Sequence, residues 1–115
     1  MPARRIGVFG GTFDPIHIGH LVAAEEVRVE CHLSRVVFVP AGSPPHKQGL
    51  NITPPEHRLA MVELALQDNP HLTVSTIDID RPGPSYTVDM LSLLHEQWGA
   101  GTDIYFIMGR DSLAD

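Results

Sequence analysis

Short runs of β-branched and aromatic residues alternate with segments of helical periodicity along almost the whole chain. The strand-like runs lie at residues 6–9, 35–40, 72–77 and 103–108. The segments between them space their apolar residues three and four apart, as amphipathic helices do. Strands that alternate with helices are joined by right-handed crossovers into a parallel sheet covered by helices. The alternation therefore predicts an α/β domain with a Rossmann-like, doubly wound parallel sheet.

Each predicted helix has a start signal and an apolar stripe. The first helix spans about 18–32, the second opens at a capping box from Thr53 to Glu56, and the third is capped by Ser85. The residues expected to face the core are Ala23, Ala24, Val27 and Cys31 in the first helix, Leu59, Val62 and Leu66 in the second, and Val88, Leu91, Leu94 and Trp98 in the third. The last residues begin like a fourth helix, so we expect residues 1–115 to be the N-terminal portion of a longer α/β domain.

Length, charge and cysteine content restrict the class of protein. A chain of 115 residues with 43% hydrophobic residues is long enough for one domain with a buried core. Its formal net charge of −6 argues against broad binding of nucleic acids or membrane surfaces. Cys31 is the only cysteine, which leaves no internal disulfide or cysteine-based metal cluster. With no stretch like a signal peptide or a membrane span, we expect a soluble, cytoplasmic domain, and the sequence leaves open whether it forms a homo-oligomer.

Stretches rich in glycine, proline and histidine follow the predicted strands. They occupy residues 10–17, 41–49, 79–86 and 109–111. The carboxyl ends of parallel strands meet at one edge of a sheet, and open α/β sheets bind ligands there, where the strand order reverses. We therefore expect these stretches to line one crevice.

The stretch FGGTFDPIHIGH (9–20) carries the strongest candidate site. Gly10 and Gly11 predict a tight turn, with backbone angles closed to other residues and room for close approach of a ligand. The glycine spacing does not fit the G-x-G-x-x-G dinucleotide fingerprint, and the chain has no P-loop. His17 and His20 lie at the start of the first helix, where unpaired N–H groups and the helix dipole favour anions. Histidine is not a usual N-cap, which favours phosphate binding as the role of the pair.

Other interpretations of the two histidines stay open. His20 continues the apolar stripe of the first helix, and a lone histidine in such a position is usually a core residue with satisfied hydrogen bonds. The pair could also bind a metal together with His46, but no third ligand has convincing spacing. No metal site is therefore predicted.

Two further loops hold candidate binding residues. SPPHKQG (43–49) contains Lys47, the only lysine, which would neutralise a polyphosphate if the loop lies over the crevice. A solvated loop lysine is the simpler alternative. In RPGPSYT (81–87), the backbone N–H groups of Tyr86 and Thr87 are suited to a carboxylate or carbonyl, although an ordinary turn and helix cap explains the same residues.

MGRDS (108–112) follows the last predicted strand, which lies beside the first strand in a doubly wound sheet. Gly109 would admit a nucleotide to the backbone, and Asp111 would accept hydrogen bonds from ribose hydroxyls or help to hold a metal. An N-cap aspartate is the simpler alternative. The histidines at positions 32, 57, 71 and 95 fall on exposed positions or helix ends, so no chemistry is assigned to them.

Four motifs, in this order along the chain, resemble a known enzyme family. GGTFDPIHIGH (10–20) resembles the signature of nucleotidyltransferases with an H-x-G-H motif, a core that class I aminoacyl-tRNA synthetases share on a related fold. PPHK (44–47), GPSYT (83–87) and GRDSL (109–113) follow it. The combination closely resembles the front part of bacterial nicotinate-nucleotide adenylyltransferases, and the resemblance covers essentially the whole chain.

The resemblance implies the α/β fold of the H-x-G-H nucleotidyltransferases and a reaction in NAD synthesis. ATP and nicotinate mononucleotide would give deamido-NAD and pyrophosphate, with Mg²⁺ carried mainly by the ATP phosphates. His17, His20 and Lys47 correspond to the catalytic residues that contact these phosphates. By the same resemblance, ATP is bound by Gly10, Gly11, Thr12, Phe13, His17, His20, Gly109 and Asp111, nicotinate mononucleotide is bound by Tyr86 and Thr87, and Asp14 and Pro15 shape the turn.

The sequence departs from this family in two respects, since a tryptophan and further ring-stacking contacts that the family has later in the chain are missing along with a second phosphate-binding motif. The family's second phosphate-binding motif, rich in Ser and Thr and followed by arginine, has no counterpart in residues 1–115. Two alternatives therefore stay open. One is an enzyme like pantetheine-phosphate adenylyltransferase, against which PPHK and GPSYT argue, and the other is a non-catalytic nucleotide-binding fragment.

Overall fold

Parallel pairing joins the strands of the described chain into a four-stranded sheet. The computed structural model describes residues 4–44 and 51–108. The strands are β1 (Arg4–Gly11), β2 (Arg35–Pro40), β3 (Leu72–Val74) and β4 (Thr102–Met108). Their order is β3-β2-β1-β4, and every neighbouring pair is parallel. The order confirms the doubly wound prediction, because the chain builds outward from β1 first to one side and then to the other.

The helices of the described residues are α1 (Ile18–Glu30), α2 (Pro55–Leu66), α3 (Ile77–Asp80) and α4 (Thr87–Trp98). The strand predicted over 72–77 is correct only for β3, since α3 begins where that strand was expected to end. The Ser75 hydroxyl accepts the Ile77 N–H at 3.2 Å. A side chain that binds backbone N–H groups competes with the strand ladder, and here it turns the chain into α3.

Two apolar cores cover the two faces of the sheet. Successive strand residues point to opposite faces, so Phe9 joins one core and Val8 joins the other. The first core also contains Ala24 of α1 and Val62 of α2, and the second contains Leu94 of α4. A parallel sheet needs this cover on both faces, and the β-branched runs of β1 and β2 supply the apolar surface.

Most residues of the predicted helix stripes belong to these cores or pack against them, but Leu59 is only half-buried and belongs to neither core, and Val88 departs further. Val88 is 74% exposed, and Met90 takes the buried position in the first turns of α4 instead. The prediction for Val88 is wrong because this residue lines a cavity at the open end of the sheet, beyond the second core. Among the helices of the described residues, none is long and apolar enough to cross a membrane.

The capping box predicted at the start of α2 does not form. The N-cap is Pro54, and no side chain caps this helix. Thr53 instead binds through its backbone, donating its N–H to Asp14 Oδ2 at 2.8 Å and accepting from Arg58 Nε at 2.7 Å. Tertiary contacts with the loop after β1 therefore take the place of local capping.

Candidate functional site

A cavity of about 530 Å³, called the crevice below, opens at the carboxyl ends of the strands, where the strand order reverses. The expectation that loops after different strands share one crevice holds for the described parts of 10–17, 41–49 and 79–86. Residues 45–50 and 109–115 lie outside the described residues, so Lys47, Gly109 and Asp111 have no described position. The predicted site residues that line the crevice are Gly10, Gly11, Thr12, Phe13, His17, His20, Tyr86 and Thr87.

His17 and His20 cap α1 reciprocally. His17 is the N-cap, with φ −141° and ψ 173°, and its Nδ1 accepts the Gly19 N–H at 3.1 Å. The His17 N–H in turn donates to His20 Nδ1 at 3.0 Å. The expectation that histidines do not cap this helix is therefore wrong. Two imidazole nitrogens do here what a Ser or Thr and a Glu do in the usual capping box.

The capping bonds fix the chemistry that each imidazole presents. In a neutral imidazole one nitrogen accepts and the other carries the proton. Because both Nδ1 atoms accept backbone N–H groups, each of the two imidazoles in its neutral form carries its proton on Nε2. The two rings are stacked with their centroids 3.8 Å apart, so both imidazoles lie together at the start of α1. This arrangement suits an anion, since the helix dipole acts in the same direction.

His20 also belongs to the aromatic packing around β1. Its ring lies edge-on to Phe9, with centroids 5.8 Å apart, and to Phe13, with centroids 5.1 Å apart. It is half-buried and lines the crevice. The ring of His20 is thus packed against aromatic residues, as expected of a core residue, and also lines the crevice, as expected of a binding residue. The two alternatives left open by the sequence do not exclude each other.

The metal-binding alternative gains no support from the described residues. Within residues 4–44 and 51–108, no group of three or more His, Cys, Asp or Glu side chains is arranged to hold a metal ion. His46, the third ligand considered from sequence, lies outside this part of the chain.

Gly10 and Gly11 make room for side chains. A Cβ at Gly10 would lie 3.2 Å from Phe106 Cε1 and 3.3 Å from Met90 Cε. A Cβ at Gly11 would lie 3.3 Å from Phe13 Cζ. Neither glycine has a positive φ, so the expectation of unusual backbone angles at these positions is wrong. Their effect is to let aromatic and methionine side chains lie directly against β1 on the floor of the crevice.

The turn between β1 and α1 is shaped by Asp14 and Pro15, as expected. The Asp14–Pro15 peptide is cis, and Phe13 has a left-handed φ of 52°. Asp14 Oδ2 accepts the Thr53 N–H, which ties this turn to the segment before α2. Phe13 is 4% exposed and packs on the first core, and this burial offsets the cost of its backbone angle.

Arg58 is a buried residue of the site that the sequence interpretation missed. It is 1% exposed, and Nη1 donates to the Thr12 carbonyl at 2.8 Å and to the Ala41 carbonyl at 2.7 Å. Burial lowers the pKa of its guanidinium, and the nearby charges of Asp14 and Glu56 oppose that shift. A signal was present, because Arg58 continues the i, i+4 spacing of the α2 stripe. A charged residue in a core stripe indicates a buried partner.

Asp78 is the second missed residue. It is 4% exposed, lines the crevice, and accepts the Gly42 N–H on Oδ2 at 2.8 Å and Arg81 Nε on Oδ1 at 3.0 Å. Its Oδ2 also accepts the Ser85 hydroxyl. Ser85 was expected to cap α4 but binds this carboxylate instead, so the prediction is wrong. The segment after the third predicted strand was expected to be a loop, and no sequence pattern there distinguishes Asp78 from an exposed loop aspartate.

The start of α4 forms another part of the crevice wall. Tyr86 is the N-cap, with φ −109° and ψ 133°, and no side chain caps the helix. Tyr86 is 53% exposed, and Thr87 is exposed as well. The first N–H groups of a helix have no partner within it, so this end of α4 is suited to an acceptor oxygen.

Comparison with protein families gives a match over nearly the whole chain. Residues 8–115 match the model of the cytidylyltransferase-like family. The match includes β1 from Val8 onward, the crevice loops and β4, so it covers the elements that form the site.

Curated relatives share one name. A "probable nicotinate-nucleotide adenylyltransferase" of Thermomicrobium roseum is 59% identical over 111 residues, which are 96% of this chain and 51% of the relative. A protein of Roseiflexus sp. with the same name is 57% identical over 115 residues, which are 100% of this chain and 57% of the relative. The chain thus spans about half the length of the curated relatives it matches.

A solved structure supports the same fold. The nicotinic acid mononucleotide adenylyltransferase of Plasmodium falciparum, complexed with NaAD, is similar to this chain with a TM-score of 0.73. The two are 19% identical, and the match covers 90% of this chain and 50% of that chain. At this identity the likeness shows a shared fold.

Proposed function

This chain belongs to the cytidylyltransferase-like family, and on that premise we propose that it forms the N-terminal half of a nicotinate-nucleotide adenylyltransferase. In this reaction ATP and nicotinate mononucleotide give deamido-NAD and pyrophosphate. The observation that carries the proposal is the pair of histidines that caps α1 inside the crevice. The shared name of the curated relatives supports the choice of substrates.

The proposed chemistry matches what the crevice offers. A phosphate oxygen of the mononucleotide attacks the α-phosphorus of ATP, and the bond between that phosphorus and the bridging oxygen of pyrophosphate breaks. The attacking phosphate is already ionised at neutral pH, so no general base is needed. Alignment of the two groups and stabilisation of the growing charge are needed instead. The Nε2–H groups of His17 and His20 would donate to ATP phosphate oxygens, with the N-terminus of α1 behind them.

Mg²⁺ fits this site as an ion that enters with ATP. Among the described residues, two carboxylates line the crevice, and both are hydrogen-bonded, Asp14 to the Thr53 N–H and Asp78 to Gly42, Arg81 and Ser85. The described residues thus offer no cage for the metal, whereas ATP phosphates bind Mg²⁺ through their own oxygens. When bound, the ion would neutralise charge on the departing pyrophosphate.

The remaining residues are assigned within the same proposal. The backbone of residues 10–13 would contact ATP, and the uncapped start of α4 at Tyr86 and Thr87 would bind the nicotinate side. Lys47 is proposed to contact the phosphates, with Gly109 and Asp111 on the nucleotide. The cytoplasm is the proposed compartment. The second phosphate-binding motif would come from the half of the relatives' length that this chain does not span.

Pyrophosphate release tests the proposal. The full-length protein would be supplied with ATP, Mg²⁺ and either nicotinate mononucleotide, its nicotinamide counterpart or phosphopantetheine. Release with nicotinate mononucleotide is the expected result. Release with phosphopantetheine alone would assign the chain to the alternative enzyme. ATP binding without release for any acceptor would favour a non-catalytic binding protein.

A further inference from the structure

A buried carboxylate holds together two walls of the crevice. Asp78 lies in α3, and its Oδ2 accepts both the Gly42 N–H, from the loop after β2, and the Ser85 hydroxyl, from the segment before α4. These two segments are distant in sequence and are brought together at the carboxyl edge of the sheet. Because Asp78 is 4% exposed, water does not compete effectively for these bonds.

Ser85 is held at several atoms. Besides its bond to Asp78, its hydroxyl accepts the Ser43 N–H at 2.8 Å, and its own N–H donates to the Ser43 carbonyl at 2.8 Å. α4 begins two residues later, at Thr87. The position of Ser85 therefore sets the position of the Tyr86 and Thr87 N–H groups at the edge of the crevice.

Arg81 completes the arrangement around the carboxylate. Its Nε donates to Asp78 Oδ1 at 3.0 Å, and its Nη2 donates to the Pro84 carbonyl. The ion pair balances the buried charge, and the second bond fastens the turn that leads to Ser85. Two buried or half-buried charges therefore support a segment that has no side-chain cap of its own.

We propose that Asp78 is a positioning residue for the mononucleotide substrate and acts through Ser85 on the start of α4. This inference rests on the proposed function, since it needs Tyr86 and Thr87 to bind the nicotinate side. Asp78 itself touches no reacting atom. The ATP phosphates are assigned to the α1 side of the crevice, so loss of the Asp78–Ser85 bond affects the two substrates differently.

Steady-state kinetics of the full-length protein separate positioning from general destabilisation. Asp78→Asn removes the charge at constant size, and Ser85→Ala is a milder change at a half-exposed position. Each is expected to raise KM for nicotinate mononucleotide roughly five- to tenfold, the effect of losing one typical hydrogen bond, with KM for ATP nearly unchanged. The double variant should be little worse than the worse single variant, because Asp78→Asn weakens and Ser85→Ala removes the same bond.

Matched controls use the same substitutions outside the site. Asp80→Asn removes an exposed charge from the same short helix, and Ser92→Ala removes an exposed hydroxyl from α4. Both are expected to leave both KM values at the wild-type level. Equal increases in KM for both substrates in Asp78→Asn and Ser85→Ala, or no increase in either, would overturn the positioning role.

Amide hydrogen exchange tests the contacts of Asp78 and Ser85 with the loop after β2 and does not depend on catalytic activity. In the full-length protein, Asp78→Asn is expected to speed exchange at the Gly42 N–H and Ser85→Ala at the Ser43 N–H, with no change in Asp80→Asn. If the wild type releases no pyrophosphate with any mononucleotide, the proposed function fails. If the wild type is active, exchange speeds up and KM for the mononucleotide stays constant, the positioning inference alone fails. Unchanged exchange in both variants would also overturn it.

Discussion

Arg58 and Asp78 hold opposite ends of one peptide group. Arg58 Nη1 donates to the Ala41 carbonyl at 2.7 Å, and Asp78 Oδ2 accepts the Gly42 N–H at 2.8 Å. The carbonyl and the N–H belong to the peptide between Ala41 and Gly42, one residue after the end of β2. A trans peptide directs these two groups in opposite directions, so a buried cation and a buried anion approach it from its two sides.

The two charges come from opposite faces of the sheet. Arg58 lies in α2, whose Val62 packs in the first core, and Asp78 lies in α3, whose Ile77 packs against the second core. Hydrogen bonds to charged groups are about twice as strong as neutral ones. The peptide between Ala41 and Gly42 is therefore a fixed point at the edge of the crevice, tied to both layers of helices.

Arg58→Met tests how much the hydrogen bonds of the buried guanidinium contribute to the stability of the protein. The substitution keeps an apolar stem but leaves the carbonyls of Thr12, Ala41 and Thr53 without their buried donor. We expect the free energy of unfolding to fall by about 3 kcal/mol, because each buried acceptor left unpaired is costly. Urea denaturation measures this change.

Arg28→Met is the matched control. Arg28 is bound to Glu25 on the surface of α1, with 20% of its side chain exposed. Ion pairs at the protein surface are screened by solvent and contribute little to stability, so this variant should stay close to the wild type. If the free energy of unfolding fell equally in Arg28→Met and Arg58→Met, the buried guanidinium would have no special role in stability.

Gly42→Ala tests the close approach of two backbones. A Cβ at Gly42 would lie 3.0 Å from the Asp78 carbonyl oxygen and 3.1 Å from Ile79 Cα, and backbone atoms cannot move aside cheaply. We expect a loss of about 1–3 kcal/mol in a thermal or urea unfolding curve. Gly101→Ala is the control, since a Cβ there meets no atom within 4 Å. A neutral Gly42→Ala would contradict the packing of α3 against this loop.

Glu25 provides a pH-dependent contribution to stability. Hydrogen bonds from Arg28 at 3.0 Å lower the pKa of Glu25 below its ordinary value of 4.5, and Asn69 adds to the shift. Folding therefore favours the ionised form. The stabilisation is complete above the ordinary pKa and is lost as the pH falls through the lowered pKa of the folded state.

Glu25→Gln makes this dependence measurable. At neutral pH the variant should lose less than about 1 kcal/mol, because the pair is partly exposed. The difference from the wild type should shrink as the pH drops below 4.5, where protonated Glu25 resembles glutamine. Glu26→Gln, an exposed neighbour on α1, serves as the control. A difference that grows on acidification would contradict the assignment.

The strand alternation was enough to predict the doubly wound sheet, and the position of β4 beside β1 followed from it. The crevice was predictable for the same reason, because the carboxyl ends of parallel strands converge wherever the chain reverses its order. The boundary of β3 was not predictable, since the turn into α3 depends on the local bond between Ser75 and Ile77.

Long-range hydrogen bonds account for the rest of what the sequence did not reveal. Ser85 and Thr53 have the local signatures of helix caps, but each binds a residue that is close only after folding, Asp78 and Asp14 respectively. Local patterns cannot register such competition. The reciprocal capping by His17 and His20 was missed for a different reason, because it uses residues that rarely cap helices.

His17 and His20 are proposed to bind phosphate in addition to capping α1, and the variant His17→Asn separates these roles. Asparagine is a good N-cap and can accept the Gly19 N–H, so the stability of the protein should stay within about 0.5 kcal/mol of the wild type. It is shorter than histidine and cannot place an N–H where Nε2 lies. His17→Ala, which removes both roles, should lose about 1 kcal/mol of stability.

Turnover of full-length His17→Asn with ATP, Mg²⁺ and nicotinate mononucleotide is therefore the most direct measurement. We expect turnover to fall at least a hundredfold, as it commonly does when an oxyanion-type donor is removed. The melting temperature should stay constant. His20→Ala should lose several powers of ten, and His32→Asn, an exposed position beyond α1, should be fully active. Near wild-type turnover of His17→Asn would contradict the account and leave that histidine with a capping role alone.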